Sequence, residues 1–558
     1  MAWDLLIKGG TLVDGTGADR RAADVAMSGQ EISAIGVLDG DAARVIDAHG
    51  KIVSPGFIDP HTHYDAQIFW DPLVTSTSWH GVTSVVMGNC GVGIAPCRAA
   101  DRDVNMMDLV NVEAMSMDVL KAGLPWNWET FPEFMDAAAA SGSGINLGFL
   151  MPLASLRHYV IGRESMERAA TRDETARIAK LIEEGVEAGA LGFSTTILPQ
   201  HIGYQGRPLA SRLASLEELK AYANALRRTG KGIIEIALSR SLGQVQQEEY
   251  ELVEMLLRES GRPLTWAFML SPDHNPGIAL ETLERIHPLF EQGAVPQVSC
   301  RPFLTQVELR KPFIFSDRKA MGKAFNTTED AQLKLYKDPV FRKELKKALE
   351  ETPGVFRGQW DRLEVQFVND PGLESLVGRN VAEIAREQGK EPLDTFFDLG
   401  LEDNLDMRFL YTIANTDVEV VGQLVRHGET VVGASDGGAH VDQICDAGYA
   451  TYMLQNWVRE QGKLSLERAV QRLTSEPAKL FGLTDRGVVA EGKKADLVIF
   501  DETTVGSDRL PESVWDLPGG ERRLVSRPRG IAGVVVNGKP LYIDGEHCGG
   551  LPGEVLRP

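Results

Sequence analysis

Eight short apolar segments recur along the middle of the chain, and stretches with helical periodicity separate them. Buried strands that alternate with helices are typical of a parallel sheet with helical crossovers. Eight such units predict an α/β fold, the (β/α)8 TIM barrel. The segments are residues 55–60, 83–87, 145–150, 190–194, 232–237, 264–269, 294–299 and 430–435.

Two of the separating helices have clear start signals. Thr171 is followed three residues later by Glu174, and Ser215 is followed in the same way by Glu218. In this capping-box pattern, two side chains satisfy the free N–H groups of the first helical turn. The pattern predicts one helix over residues 175–188 and another from Ser215 to about residue 228.

The two ends of the chain have similar sequence patterns. Residues 1–54 and 481–558 both contain short strand-like runs broken by Gly turns, and Asn537-Gly538 is a strong hairpin signal. Neither end is long enough to bury a core alone. We therefore predict one composite β domain made by both ends, with the barrel occupying residues 55–480.

Residues 301–405 do not fit a minimal barrel, and we predict that they form an insertion on one of its loops. Segments 364–368 and 408–412 inside or beside this region also have strand character. They compete for the last two strand positions of the barrel.

Composition excludes several classes of protein. Hydrophobic residues make up 43% and charged residues 25%, which is typical of a soluble globular protein, and no apolar run reaches membrane-spanning length. The net charge of −21 gives no basic face for nucleic acid. Five scattered cysteines and the lack of a signal-peptide pattern indicate the cytoplasm. The expected partner is a small molecule rather than nucleic acid or membrane, and a homo-oligomer is left open.

The first predicted strand leads directly into two histidines. Phe57 and Ile58 belong to its apolar run, and His61 and His63 follow after Pro60. Two residues apart on an extended chain, the two imidazoles point to the same face. Converging imidazoles at a strand end favour a divalent metal such as zinc. A pair of surface or capping histidines is the alternative.

Asp436 follows the last predicted strand and is flanked by the small residues Gly437 and Gly438. A carboxylate there can reach a metal-bound water, remove its proton and later protonate a leaving nitrogen. An ordinary Asp-Gly-Gly turn is the alternative.

Cys90 follows the second predicted strand in the run Gly-Asn-Cys-Gly. A free cysteine is most often a small buried residue. It can also act as a thiolate metal ligand or as a nucleophile. Its place at the strand end next to His61 and His63 keeps the ligand role open.

Five motifs stand at residues 60–67, 88–91, 187–195, 434–438 and 487–501. Together they resemble the N-acyl-D-amino-acid deacylase (D-aminoacylase) branch of the amidohydrolase superfamily. The resemblance implies a metal-dependent barrel, a small β-sandwich domain formed by both termini, and one or two divalent ions, usually zinc. It also implies that His61, His63 and Cys90 are metal ligands and that Asp436 is both a ligand and the general base and acid.

The chain also departs from this family. The family usually has a histidine after the fifth strand and another after the sixth, but this chain has Leu238-Ser-Arg240 and Phe268-Met-Leu-Ser271 there. One explanation is a single metal held by His61, His63 and Asp436 with Cys90 near it, which we prefer. Substitute ligands from loops, or a degenerate site, are the others.

Several further residues are candidates for these roles. Histidines in the loops are candidate substitute ligands, and arginines are candidate contacts for a substrate carboxylate, although each arginine can equally be structural. These residues are His201, His274, His440, Arg157, Arg240 and Arg301.

We therefore predict a metal-dependent hydrolase that cleaves the C–N amide bond of an N-acyl (D-)amino acid or related amide by attack of a metal-activated water. The alternative within this class is a cyclic-amide hydrolase of the hydantoinase or dihydropyrimidinase kind. The end of the fourth strand, Gly192-Phe-Ser-Thr195, offers that alternative no lysine to be carboxylated. A metal-poor, non-catalytic barrel that serves as a binding protein is the alternative from another class.

Overall fold

The computed structural model describes residues 3–315, 318–325, 327–351, 356–433 and 435–558. The first two residues of the predicted N-terminal β unit, parts of the predicted insertion, and Ala434 of the predicted eighth strand and fourth motif lie outside the described residues. The chain forms two compact units. One comprises Met1–Arg301, Asp417–Val441 and Cys445–Pro558, and the other comprises Pro302–Thr416 and Asp442–Ile444.

All eight predicted segments of the first unit contain a strand. We label them in chain order. They are β1 (Phe57–Asp59), β2 (Val82–Met87), β3 (Asn146–Phe149, followed by Met151–Pro152), β4 (Gly192–Thr196), β5 (Ile233–Ala237), β6 (Leu264–Ala267), β7 (Ala294–Val298) and β8 (Val431–Val432). Most of their side chains are buried, as continuous apolar runs require.

The eight strands pair in parallel, each with its neighbour in the chain. One sheet has the order β3-β2-β1, and the second runs from Met151–Pro152 through β4, β5, β6 and β7 to β8. A parallel bridge between Thr62 and Gly437 links the segments that follow β1 and β8. The carboxyl ends of neighbouring parallel strands meet at one edge, so residues just after β1, β2 and β8 are brought together.

Helices connect the strands. The two predicted capping boxes are confirmed: the Thr171 and Ser215 side chains accept from the backbone N–H groups of Glu174 and Glu218. The helices of this unit are Arg102–Val112, Met117–Gly123, Phe131–Ser141, Leu153–Ile161, Arg172–Glu187, Leu216–Thr229, Gln247–Ser260, Ile278–Arg285, His287–Phe290, Val418–Arg426, Tyr449–Tyr452, the π-helix Met453–Glu460, Leu466–Leu473 and Ser475–Leu480. None of the helices in the described ranges has both the length and the apolar character needed to cross a membrane.

Both chain ends contribute to one sheet. The N-terminal strand Ile52–Pro55 pairs antiparallel with the C-terminal strand Leu497–Phe500. The complete order of this seven-stranded sheet is Glu546–His547, Lys539–Ile543, Ile531–Val536, Leu497–Phe500, Ile52–Pro55, Thr11–Leu12 and Arg21–Ala22. A second, four-stranded sheet has the order Glu31–Gly36, Asp24–Ser28, Trp3–Lys8 and Ala42–Asp47. One apolar cluster contains side chains from both sheets, among them Ile7, Val25, Val53 and Leu497.

The second unit contains an antiparallel sheet. Its middle strand, Arg408–Ala414, pairs with Phe303–Glu308 on one side and Leu363–Phe367 on the other. The two segments that competed for barrel positions therefore pair with each other. The α-helices of this unit are Glu329–Lys337, Pro339–Glu351, Val381–Gln388 and Pro392–Glu402.

Candidate metal and active site

His61 and His63 lie directly after β1 in an extended segment. Thr62 between them donates its backbone N–H to Val86 of β2 (3.0 Å), and His63 donates to Gly437 after β8 (2.6 Å). Side chains two residues apart on extended backbone share a face, and the two ring centroids are 5.3 Å apart. Both side chains are buried, so they are not surface histidines.

Cys90 lies in a tight turn after β2. Its φ is +56°, in the left-handed region that costs energy for a residue with a Cβ. Gly88, which begins the turn, has φ +78°, and a Cβ on it would lie 2.1 Å from the carbonyl oxygen of Leu150. This turn directs the thiol towards β1, where Sγ lies 3.5 Å from Nε2 of His61.

Asp436 follows β8 and also has a left-handed backbone, with φ +52°. Gly437 and Gly438 permit a close approach, because a Cβ on Gly437 would lie 2.5 Å from the Tyr64 hydroxyl. The Oδ1 atom of Asp436 lies 3.1 Å from Nε2 of His63 and 3.8 Å from Nε2 of His61.

The four predicted site residues lie in two overlapping groups of possible ligands that share His63: one is His61, His63 and Cys90, and the other is His63, Glu113 and Asp436. Ligand atoms around a tetrahedral zinc with bonds of about 2.0–2.3 Å are about 3.3–3.8 Å apart. Three separations are close to this spacing. Cys90 Sγ lies 3.5 Å from Nε2 of His61, and Asp436 Oδ1 lies 3.8 Å from Nε2 of His61 and 3.1 Å from Nε2 of His63. Among the described residues, neither Nδ1 of His61 nor Nδ1 of His63 has a hydrogen-bond partner. The residues present therefore fit a divalent ion.

Two buried glutamates also belong to the site, and sequence reasoning missed both. Glu235 is in the middle of β5; its Oε2 accepts the backbone N–H of Cys90 (2.7 Å), and its Oε1 lies 4.0 Å from Nδ1 of His61. Glu113 follows helix Arg102–Val112, with Oε1 3.4 Å from Nδ1 of His63. A single carboxylate inside the apolar run of β5 was the signal for Glu235, because a buried charge needs a partner. Nothing in the sequence marks Glu113.

These groups change one another's pKa values. Burial raises the pKa of Glu235 to about 8 and that of Glu113 to about 7. Burial lowers the pKa of His63, but the charges of Glu113 and Asp436 outweigh it and raise the value to about 10. Burial and then the charge of His63 lower the pKa of His61 to about 3. Burial acts to raise the pKa of Asp436, but the hydrogen bond and charge of His63 keep it well below its usual range. The charges of Glu113 and Asp436 therefore favour a positive charge at His63.

The loop histidines differ in their distance from this centre. His201, in the loop after β4, is half-buried, and burial followed by the charges of His63 and His440 lowers its pKa to about 3. His440 donates its backbone N–H to the carbonyl oxygen of Glu113 (2.6 Å). Both therefore lie close to the site. His274 is exposed in the loop after β6.

The candidate arginines are engaged in different ways. Arg301 pairs with buried Asp446 (3.0 Å), and Arg157 pairs with buried Glu218, so both are structural. Arg240 is exposed after β5. Burial and then the charge of Arg240 lower the pKa of Arg212, whose guanidinium donates to the carbonyl oxygen of His201 (3.1 Å). Arg212 and Arg240 are thus neighbouring cations on the side of His201.

β5 and β6, after which the resemblance leads us to expect histidines, contribute other side chains to the site. Glu235 is the polar side chain that β5 contributes. Directly after β6, the Phe268 ring packs edge-on against the His61 ring, with centroids 4.8 Å apart. This phenyl ring offers no metal ligand.

Comparison with known proteins identifies relatives that match this chain over almost its whole length. The chain is 27% identical to a D-aminoacylase of Alcaligenes xylosoxydans xylosoxydans over 564 residues, which cover 99% of this chain and 97% of the relative. It is also 27% identical to an N-acyl-D-aspartate deacylase of the same organism, covering 100% of this chain and 95% of the relative.

Solved structures are also similar to this chain. An N-acyl-D-glutamate deacylase from Bordetella bronchiseptica, complexed with zinc and a phosphonate inhibitor, superimposes with a TM-score of 0.67 at 27% identity and full coverage of both chains. An L-hydantoinase from Arthrobacter aurescens, at 16% identity and a TM-score of 0.54, shares the fold alone. The sequence model of the amidohydrolase family matches residues 44–542 of this chain. The resemblance inferred from the motifs is therefore confirmed, and the chain belongs to the amidohydrolase family.

Proposed function

We propose that this protein is a metal-dependent amidohydrolase that cleaves the amide bond of N-acyl amino acids, with the D series as the first substrates to test. One observation carries the proposal: His61, His63, Cys90 and Asp436 come together after β1, β2 and β8 in two overlapping groups of possible metal ligands that share His63. The two relatives of nearly full length described above are deacylases of this kind.

These four residues would hold one divalent ion, with zinc as the first candidate because their nitrogen, sulfur and carboxylate donors suit it. The bound ion would polarise the scissile carbonyl and lower the pKa of the attacking water. The phenyl ring of Phe268 against His61 favours one ion, because a ligand from β6 is replaced by an apolar side chain.

Asp436 is the proton carrier in this proposal. Its carboxylate oxygen lies 3.1 Å from Nε2 of His63 and 3.8 Å from Nε2 of His61, where it can accept a proton from water at the site. The same carboxyl group then donates that proton to the nitrogen of the departing amino acid. The neighbouring cations Arg212 and Arg240 are the kind of pair that binds a substrate carboxylate.

The proposal includes a closed (β/α)8 barrel. Continuous parallel pairing from β1 to β8 and the bridge between Thr62 and Gly437 support closure. The shared apolar cluster of the two terminal sheets supports a small β-sandwich, with domain boundaries near 54 and 480. All five cysteines are unpaired, in keeping with a cytoplasmic protein.

The direct test combines a substrate panel with Asp436→Asn. We expect the metal-loaded protein to hydrolyse N-acetyl D-amino acids faster than their L forms or cyclic imides. Asp436→Asn should lower kcat by about 10³-fold, because it removes the proton acceptor while leaving a side chain of the same shape. Near wild-type turnover of this variant would disprove the catalytic role, and faster cleavage of cyclic imides would favour the hydantoinase alternative.

A further inference from the structure

We propose that Glu235 and Glu113 are the positioning residues of the site. Each carboxylate holds the Nδ1 side of one histidine, so that the Nε2 side faces the ion. This inference rests on the proposed function, because it assigns supporting residues to the metal site proposed there.

The two nitrogens of each histidine face different partners. Nε2 of His61 faces Cys90 Sγ at 3.5 Å and Asp436 Oδ1 at 3.8 Å, whereas its Nδ1 faces Glu235 Oε1 at 4.0 Å. Nε2 of His63 faces Asp436 Oδ1 at 3.1 Å, and its Nδ1 faces Glu113 Oε1 at 3.4 Å. Metal-bound histidines usually donate the hydrogen of the second nitrogen to such a carboxylate, which fixes the tautomer and the ring orientation.

Glu235 connects ligands from two strands. Its Oε2 accepts the backbone N–H of Cys90 at 2.7 Å, which supports the left-handed turn that presents the thiol. Its Oε1, which has no hydrogen-bond partner among the described residues, is the oxygen that faces His61. The strand around Glu235 is rigid, because β5 is paired on both sides and fully buried.

Glu113 makes a similar connection between His63 and the segment after β8. Its carboxylate faces His63, and its backbone carbonyl accepts the N–H of His440 at 2.6 Å. It therefore links the ligand after β1 to the segment after β8 that carries Asp436. Glu113 is 3% exposed, so water does not compete strongly for its carboxylate.

Direct coordination by Glu235 fits the geometry less well. Its Oε1 faces Nδ1 of His61, whereas Cys90 Sγ and Asp436 face the other nitrogen. Gln297 of β7 is a second polar neighbour of His61, and its Nε2 donates to Thr265 at 3.2 Å. If Gln297 alone oriented the ring, removal of Glu235 would not affect the ion.

The experiment measures cobalt(II) binding to the full-length protein. We would compare Glu235→Ala, Glu235→Gln, Glu113→Ala and Glu113→Gln by chelator competition and by the thiolate-to-cobalt absorption band. Glu218→Gln is the control, because Glu218 is an equally buried glutamate that serves Arg157 outside the site. This control should lower the melting temperature without changing cobalt affinity.

Both alanine variants should weaken cobalt binding by about 10- to 100-fold and change the absorption band. Glu113→Gln should restore most of the affinity, because its amide oxygen can still accept from Nδ1 of His63. Glu235→Gln should restore only part of the cobalt affinity. The two carboxylate oxygens of Glu235 face the backbone N–H of Cys90 and Nδ1 of His61, whereas glutamine has a single acceptor oxygen. Melting temperatures of the metal-free variants should not follow this order.

Two results would overturn the inference while leaving the proposed function intact. Alanine variants with wild-type cobalt affinity would show that the glutamates are not needed. Complete loss of cobalt that neither glutamine variant restores would assign direct coordination instead. Failure of the wild-type protein to bind cobalt or zinc would overturn the proposed function together with this inference.

Discussion

The strands that converge on the site contribute in two different ways. β1, β2 and β8 lead into His61, His63, Cys90 and Asp436, whose side chains carry metal-binding atoms. β5 and β6 lead into the same region, but their contributions are the carboxylate of Glu235 and the phenyl ring of Phe268. In the proposed site, the residues after β1, β2 and β8 (the ligand side) supply the metal ligands, and the residues of β5 and after β6 (the support side) supply support and packing.

In the proposed site, ligands after β1, β2 and β8 act together without the two histidines that the resemblance leads us to expect after β5 and β6. On the ligand side, left-handed backbones at Cys90 and Asp436 turn both side chains towards the histidines after β1. On the support side, Glu235 is fully buried and accepts the backbone N–H of Cys90. A degenerate barrel would not need both features.

The largest effect should come from removing the ligand side. His61→Ala/His63→Ala should reduce bound metal from about one equivalent to less than about a tenth, because two of four donors disappear. Elemental analysis after gel filtration measures this. The control is His80→Gln, since His80 is another buried histidine but bonds to Thr451 and the Ser526 carbonyl instead. Retention of metal by the double variant would contradict the ligand assignment.

The ligand side could largely be anticipated from sequence. His61, His63, Cys90 and Asp436 stand within a few residues of strong apolar runs, so local pattern places them at strand ends. Parallel strands then bring those ends together whatever lies between them. The capped helices were equally accessible, because a capping box is a short-range signal.

The support side could not be anticipated in the same way. A strand pattern such as Ile-Ile-Glu-Ile-Ala does not say which partner satisfies its carboxylate. Glu113 meets His63 across a sequence separation of fifty residues, from a position after helix Arg102–Val112 rather than at a strand end. The mutual placement of the strand-like segments at 364–368 and 408–412 likewise depends on long-range pairing.

A smaller effect should come from Cys90→Ser. The hydroxyl is a weaker zinc donor than a thiolate, so metal affinity should fall by about 10- to 100-fold while the metal-free protein keeps its melting temperature. Cys97→Ser is the matched control, because Cys97 is a buried cysteine whose thiol faces the carbonyl oxygen of Arg98. A lower melting temperature with unchanged metal affinity would assign Cys90 to packing alone.

The smallest effect on metal should come from Phe268→Leu, on the support side. Leucine preserves an apolar contact with His61, so the free energy of unfolding should fall by less than about 1.5 kcal/mol. Metal affinity should change by much less than the roughly tenfold loss expected for a residue bonded to a ligand. Calorimetry and chelator competition on the same preparation measure both quantities. A tenfold loss of metal affinity would show that the phenyl ring itself orients His61, and the support side would then act through packing as well as through Glu235.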